Sequence, residues 1–194
     1  FNYSSMNAGK STALLQADHN YRERGMNTIL FTSSKDERYG KNEIVSRIGI
    51  KAPANYFFED TNLYEEVSKY LQIKNINCVL IDEAQSMPED TIEALRLLTN
   101  LETESEKLLQ VVLFGQPELD VLLGQKKLRQ LQQRITLQHK LKPLDRQDIE
   151  HYISHRMILA GYSGGRLFDA KAITLLTKAS KGIPRLVNIL CHKS

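Results

Sequence analysis

Short apolar runs bounded by turn residues alternate, over roughly the first three quarters of the chain, with longer stretches whose apolar positions recur every three or four residues. The short runs predict strands buried on both faces and the longer stretches predict amphipathic helices, so their alternation predicts an α/β fold, a mostly parallel sheet flanked by helices. Strands are expected at 1–3, 28–32, 77–81, 109–114 and 135–141. Helices are expected at 11–24, 63–71, 88–100, a short one from Pro117, and 126–133. Gly25 is placed to end the first helix in a left-handed conformation, and Pro88 suits a first helical turn. The stretch 33–61 is polar, carries Gly40, Gly49 and Pro53, and reads as one long irregular connection. After Asp145 the strand pattern stops. Three helical patterns follow, at 145–160, 169–180 and from Pro184 onward, separated by a glycine-rich segment around Gly161 to Gly165 and by Gly182. A subdomain boundary is therefore expected near Leu144, dividing a nucleotide-binding α/β domain, 1–144, from an all-helical piece, 145–194.

Composition narrows the class. The chain has 194 residues, 41% of them hydrophobic and 25% charged, which is ordinary for a soluble globular protein. Its apolar runs fall far short of the ~20 residues that cross a bilayer, so no transmembrane segment is expected. Two cysteines, with no histidine or acid at ligand spacing beside them, predict no zinc site and a reduced, cytoplasmic setting. Phe1 in place of a methionine reads as a trimmed start. Residues 1–85 carry 10 basic and 11 acidic side chains and residues 86–194 carry 16 and 12, a mild imbalance that suits an anionic ligand but not a nucleic-acid partner. His151 and His155 share a helix face at the spacing of zinc proteases. Tyr152 stands where the glutamate of that motif belongs, so a solvated face is expected.

Candidate chemistry lies where the first strand gives way to a helix. Ser4, Ser5, Met6, Asn7, Ala8, Gly9, Lys10 and Ser11, followed by Thr12, read as a phosphate-binding loop whose first glycine has become Ser4. Backbone N–H groups and the helix N-terminus would cradle phosphate oxygens, an exposed Lys10 would neutralise the terminal phosphates, and the Ser11 hydroxyl would reach Mg2+. Such a loop needs an acid at the end of a nearby strand. The run from Cys78 to Ile81 supplies Asp82, for the metal, and Glu83, placed to orient or deprotonate a nucleophile.

Two families are resembled. Residues 1–16, with 36–39, 45–49 and 78–85, resemble bacterial type II thymidine kinases, including the serine at the first loop position; this likeness covers 1 to about 85 and implies that the family's catalytic glutamate falls on Glu83. Past that point the sequence contains neither the thymidine-binding lasso nor the four-cysteine zinc site of that family. From about Val79 to the end the chain instead resembles AAA+ ATPases of general secretion and mannose-sensitive haemagglutinin pilus biogenesis. That likeness runs through 82–88, 93–102, 111–119, 130–135 and 182–186. It implies a sensor residue at Gln116, an arginine finger at Arg134, a second sensor at Arg185 and a helical lid after Asp145. The two likenesses overlap at 79–85, and the chain reads as a chimera.

Three functions are then expected to compete. The first is an AAA+ ATPase binding ATP and Mg2+, working as a homo-oligomer with secretion or pilus assembly partners, in which Glu83 orients water and Arg134 acts on a neighbouring subunit's nucleotide. The second is ATP-dependent phosphorylation of thymidine, with Glu83 taking the sugar hydroxyl proton. The third is a nucleotide-binding module without turnover.

Overall fold

The computed structural model describes residues 2–3, 9–35, 42–46, 49–99 and 109–193. The chain divides into two compact units, one built on Lys10–Lys140 with the first strand and one from Leu141 onward to which Gly9 is also assigned.

The first unit begins with β1 (Asn2–Tyr3), α1 (Lys10–Glu23) and β2 (Thr28–Ser33), and continues through β3 (Glu43–Val45), β4 (Lys51–Pro53) and β5 (Asn55–Phe57). Next come α2 (Leu63–Ile73), β6 (Cys78–Ile81), α3 (Glu89–Leu98), β7 (Gln110–Gly115), α4 (Pro117–Leu123), α5 (Arg129–Gln132) and β8 (His139–Lys140). Six strands form one sheet in the order β5-β2-β6-β7-β1-β8, every neighbouring pair parallel. Strand β6 aligns Leu80 with Leu30 of β2 on one side and with Val112 of β7 on the other.

Alternation along the strands sorts the core into two layers. Leu30, Cys78, Leu80 and Phe114 point to one face and pack with Leu14 and Leu15 of α1. Ile29, Phe31, Val79, Ile81 and Leu113 point to the other, against Leu63 and Val67 of α2 and Ile92, Leu95 and Leu98 of α3. Both faces being covered explains why these strands read as unbroken apolar runs. Gly25, at φ +74°, ends α1 as expected. A buried Asp18 then ties the end of α1 to the start of β2, accepting hydrogen bonds from the Thr28 hydroxyl and the Arg22 guanidinium.

Two expectations need correction. The stretch 33–61 is not a single irregular connection: β3 and β4 form an antiparallel hairpin, Ile44 opposite Ala52, and β5 extends the sheet beside β2. Each of these strands is three residues long and one carries Pro53, too short and too mixed for a period to show. The strand expected at 135–141 shrinks to two residues, because Leu137 is 79% exposed and its alternation faces no core.

The second unit holds α6 (Arg146–Leu159), α7 (Ala170–Ser180) and α8 (Pro184–Lys193), around Ile149, Ile153, Ile173, Leu176 and Val187. Asp145 and Asp148 cap the start of α6 reciprocally, and Asp169 caps α7. Between α7 and α8 the backbone turns through Lys181 and Gly182, both left-handed. A side chain at Gly182 would stand 2.3 Å from the Leu144 carbonyl, so glycine alone lets the α7–α8 turn lie against that segment.

Candidate nucleotide site

In a parallel sheet all strands end at the same edge, and the chemistry-bearing segments follow three adjacent strands. Lys10 and Ser11 open the helix after β1, Asp82 and Glu83 follow β6, and Gln116 follows β7, which lies between them. Of the expected phosphate loop, Ser4, Ser5, Met6, Asn7 and Ala8 lie outside the described residues, as do 36–39 and 47–48 from the thymidine kinase resemblance. Gly9 enters the helix at φ +84°, a conformation that favours glycine.

The Ser11 hydroxyl donates to Asp82 Oδ2 at 2.9 Å, joining the helix start to the strand end across 71 residues of sequence. Asp82 is 1% exposed, its other oxygen accepts the Glu83 N–H at 3.0 Å, and its own N–H donates to the Phe31 carbonyl on β2. Burial first, then the neighbouring Glu83 charge, push the Asp82 carboxyl up to about 6; the Ser11 hydroxyl, the Glu83 N–H and the positive charge of Lys10 oppose them. Lys10 is only 5% exposed, a correction to its expected exposure: it opens α1 beside the acid pair and is desolvated with it. A hydroxyl and a carboxylate at this spacing are the hard oxygen donors that Mg2+ prefers, so the residues present fit that ion.

Glu83 is 8% exposed and sits in the left-handed region at φ +51°, costly for a residue with a Cβ, leading into a 3-10 turn at Ala84–Ser86. Its Oε2 accepts hydrogen bonds from the side-chain amides of both Gln85 and, at 3.1 Å, Gln116. Gln85 Oε1 in turn accepts the Gln116 backbone N–H at 3.0 Å. Gln85 is the residue that sequence reasoning missed, since one amide in a turn carries no periodic signal and only the left-handed step at Glu83 brings it back.

The structure thus brings together Ser11, Asp82, Glu83 and Gln116, with Lys10 close enough to act on Asp82 and Thr12 half-buried one residue further along α1. The arginines stand differently. Arg134 is exposed just past α5, its Nη1 3.5 Å from the Thr99 hydroxyl. Arg185 is exposed in the first turn of α8, in the second unit. His151 and His155 are both exposed on α6.

Sheet order, the lysine and serine at a helix start, and an acid pair at the end of the next strand but one define a P-loop NTPase fold of the AAA+ kind. Among solved structures the chain is similar to the ADP form of the ORC2 protein of Aeropyrum pernix, with a TM-score of 0.58 and 13% identity over 96% of this chain and 54% of that one. By sequence, the thymidine kinase family model matches residues 1–118, and the chain belongs to the thymidine kinase family. That match runs past the limit near residue 85 set by the motifs above. The thymidine kinase of Shewanella oneidensis is 47% identical over 100 residues, 52% of each chain. General secretion pathway protein A of Aeromonas hydrophila is 51% identical over 116 residues, 60% of this chain and 21% of that protein. The chain thus spans about half the length of the first of these relatives and about a fifth of the second.

Proposed function

We propose that this chain binds ATP with Mg2+ and hydrolyses it, as an AAA+ ATPase of the secretion or pilus-biogenesis type. The observation that carries the reading is the contact between the Ser11 hydroxyl and the buried Asp82 beside Glu83, which unites a phosphate-loop helix with a strand-end acid pair. Lys10 neutralises the terminal phosphates. Ser11 and Asp82 would hold the Mg2+, which when bound would draw charge off the phosphate oxygens. Glu83 orients a water and takes its proton as the water oxygen bonds to the γ-phosphorus and the bond to the ADP oxygen breaks. Gln116 steadies Glu83, Arg134 serves a neighbouring subunit's site in a homo-oligomer, and Arg185, in the helical domain at 145–194, is the second sensor that the AAA+ resemblance implies. The setting we assign is cytoplasmic, with secretion or pilus assembly proteins as partners; among the described residues no helix is long and apolar enough to cross a membrane. The two relatives of different families support reading the chain as a chimera joined within 79–85.

The family match over residues 1–118 favours a second reading, transfer of the γ-phosphoryl group to thymidine with Glu83 taking the sugar hydroxyl proton. A third reading, binding without turnover, shares the same loop. One set of measurements separates the three. Mg-ATP should raise the melting temperature of the parent, by an amount equivalent to about 2.7 kcal/mol at a hundredfold excess over Kd, and Lys10→Ala should abolish that rise. ADP release should proceed without thymidine. Release only with thymidine would establish the second reading, a thermal shift without ADP the third, and a full shift in Lys10→Ala would remove the phosphate-loop assignment.

A further inference from the structure

The reading above leaves unexplained how Glu83 is held, given a backbone conformation that a residue with a Cβ adopts reluctantly. The turn that follows is closed by the Ser86 N–H donating to the Glu83 carbonyl at 2.9 Å, and it returns the Gln85 side chain toward Glu83. The Gln85 carboxamide is then used at both ends. Its Nε2 donates to Glu83 Oε2, and its Oε1 accepts the backbone N–H of Gln116, the residue at the N-cap position of α4. A carboxamide offers both a donor and an acceptor at this separation; an ionised glutamate has no donor to offer and a methionine only a weak sulfur acceptor.

The neighbouring backbone is shaped to admit it. A Cβ at Gly115 would stand 3.1 Å from Gln85 Oε1 and 2.5 Å from Leu119 Cδ2, so a side chain there would press on the amide and on α4 together. With Gln116 Nε2 on the same Oε2, the carboxylate of Glu83 is fixed by two amides anchored on different strand ends.

We infer that Gln85 is a positioning residue that acts through Glu83, fixing the orientation of its carboxylate and tying it to the turn between β7 and α4. The inference rests on the reading that Glu83 handles the nucleophile's proton, and it adds a residue and a linkage which that reading does not contain. A shift of the β7–α4 turn is passed to Glu83 through Gln85 as well as through the side chain of Gln116 itself.

The test is a cycle of Gln85→Met and Glu83→Ala, singly and together, with Gln85→Glu as a second variant, read by ATP turnover, nucleotide affinity and melting temperature. Gln85→Met should lower kcat about 10- to 100-fold, the usual cost of losing a residue that orients a working ligand, with KM and nucleotide affinity within about twofold of the parent. In the Glu83→Ala background the same substitution should leave the residual turnover within about twofold, because the group it orients is gone. Gln85→Glu keeps the acceptor for the Gln116 N–H but sets a second carboxylate against Glu83 in place of the donor, so it should melt below the parent and lose turnover. Equal fractional losses in both backgrounds, or full turnover in Gln85→Glu, would make Gln85 a brace for the turn and overturn the inference. A parent that turns over no ATP, with or without thymidine, defeats the functional reading instead. The melting temperatures then still decide the contact: non-additive shifts for Gln85→Met and Glu83→Ala support it, and additive shifts overturn it.

Discussion

The two units treat charge in opposite ways. Among the described residues every buried charged side chain, Lys10, Asp18, Asp82 and Glu83, belongs to the α/β unit, whereas the helical unit buries apolar side chains and, of its polar ones, Ser180. Residues 141–194 carry 9 basic and 4 acidic side chains, yet none of those described is buried. Desolvating an ion costs several kcal/mol unless partners meet it, so buried charges mark places where the fold has been arranged around a task or a joint. Asp18 is such a joint, met by Thr28 and Arg22 at the end of α1. Lys10, Asp82 and Glu83 gather at one sheet edge, where three parallel strands end together. Charges left on a surface, such as Arg134 and Arg185, are shaped by what they meet rather than by their own unit's core.

The largest expected effect tests the buried side of that contrast. Glu83→Gln keeps shape and both amide contacts but accepts no proton, so ATP turnover should fall about 10²- to 10⁴-fold while ATP affinity holds; equal turnover would make Glu83 structural. On the exposed side, Arg134→Ala should lower turnover about 10²-fold with little change in stability or ATP affinity, and activity per chain should rise with protein concentration. Mixing Arg134→Ala with Glu83→Gln chains should restore part of the activity. No recovery, with turnover independent of concentration, would remove Arg134 from the chemistry.

The smallest effect is on stability. Asp82 is raised from 3.8 to about 6 in the fold, so its contribution is fully present below the unfolded value and is lost as pH rises through the folded one. At pH 7 without nucleotide the ionised, buried carboxylate is therefore a burden on the order of 1–3 kcal/mol. Asp82→Asn should stabilise the nucleotide-free protein in urea unfolding at pH 7 and lose that advantage near pH 4. An advantage independent of pH would mean that the carboxylate's desolvation is not its source. The same substitution should weaken the effect of Mg2+ on the ATP thermal shift, which is the activity cost expected of a stabilised site.

Local chemistry alone determined much of this protein. The apolar runs at 28–32, 77–81 and 109–114, the helical periods and Gly25 at a helix end are decided by neighbours in the chain, and each appears close to where the sequence places it. Strand alternation with helices likewise made the α/β class legible, and the Lys10–Ser11 and Asp82–Glu83 spacings pointed to nucleotide chemistry before any coordinates. Three things needed the tertiary structure. The β3–β4 hairpin and β5 are three-residue strands whose stability comes from pairing partners, which no local period records. The burial of Lys10 depends on what packs over the helix start. The clamp on Glu83 depends on a left-handed turn and on a glycine 30 residues further along the chain from Gln85, and a hydrogen bond between distant residues is a property of the packed sheet, not of either segment by itself.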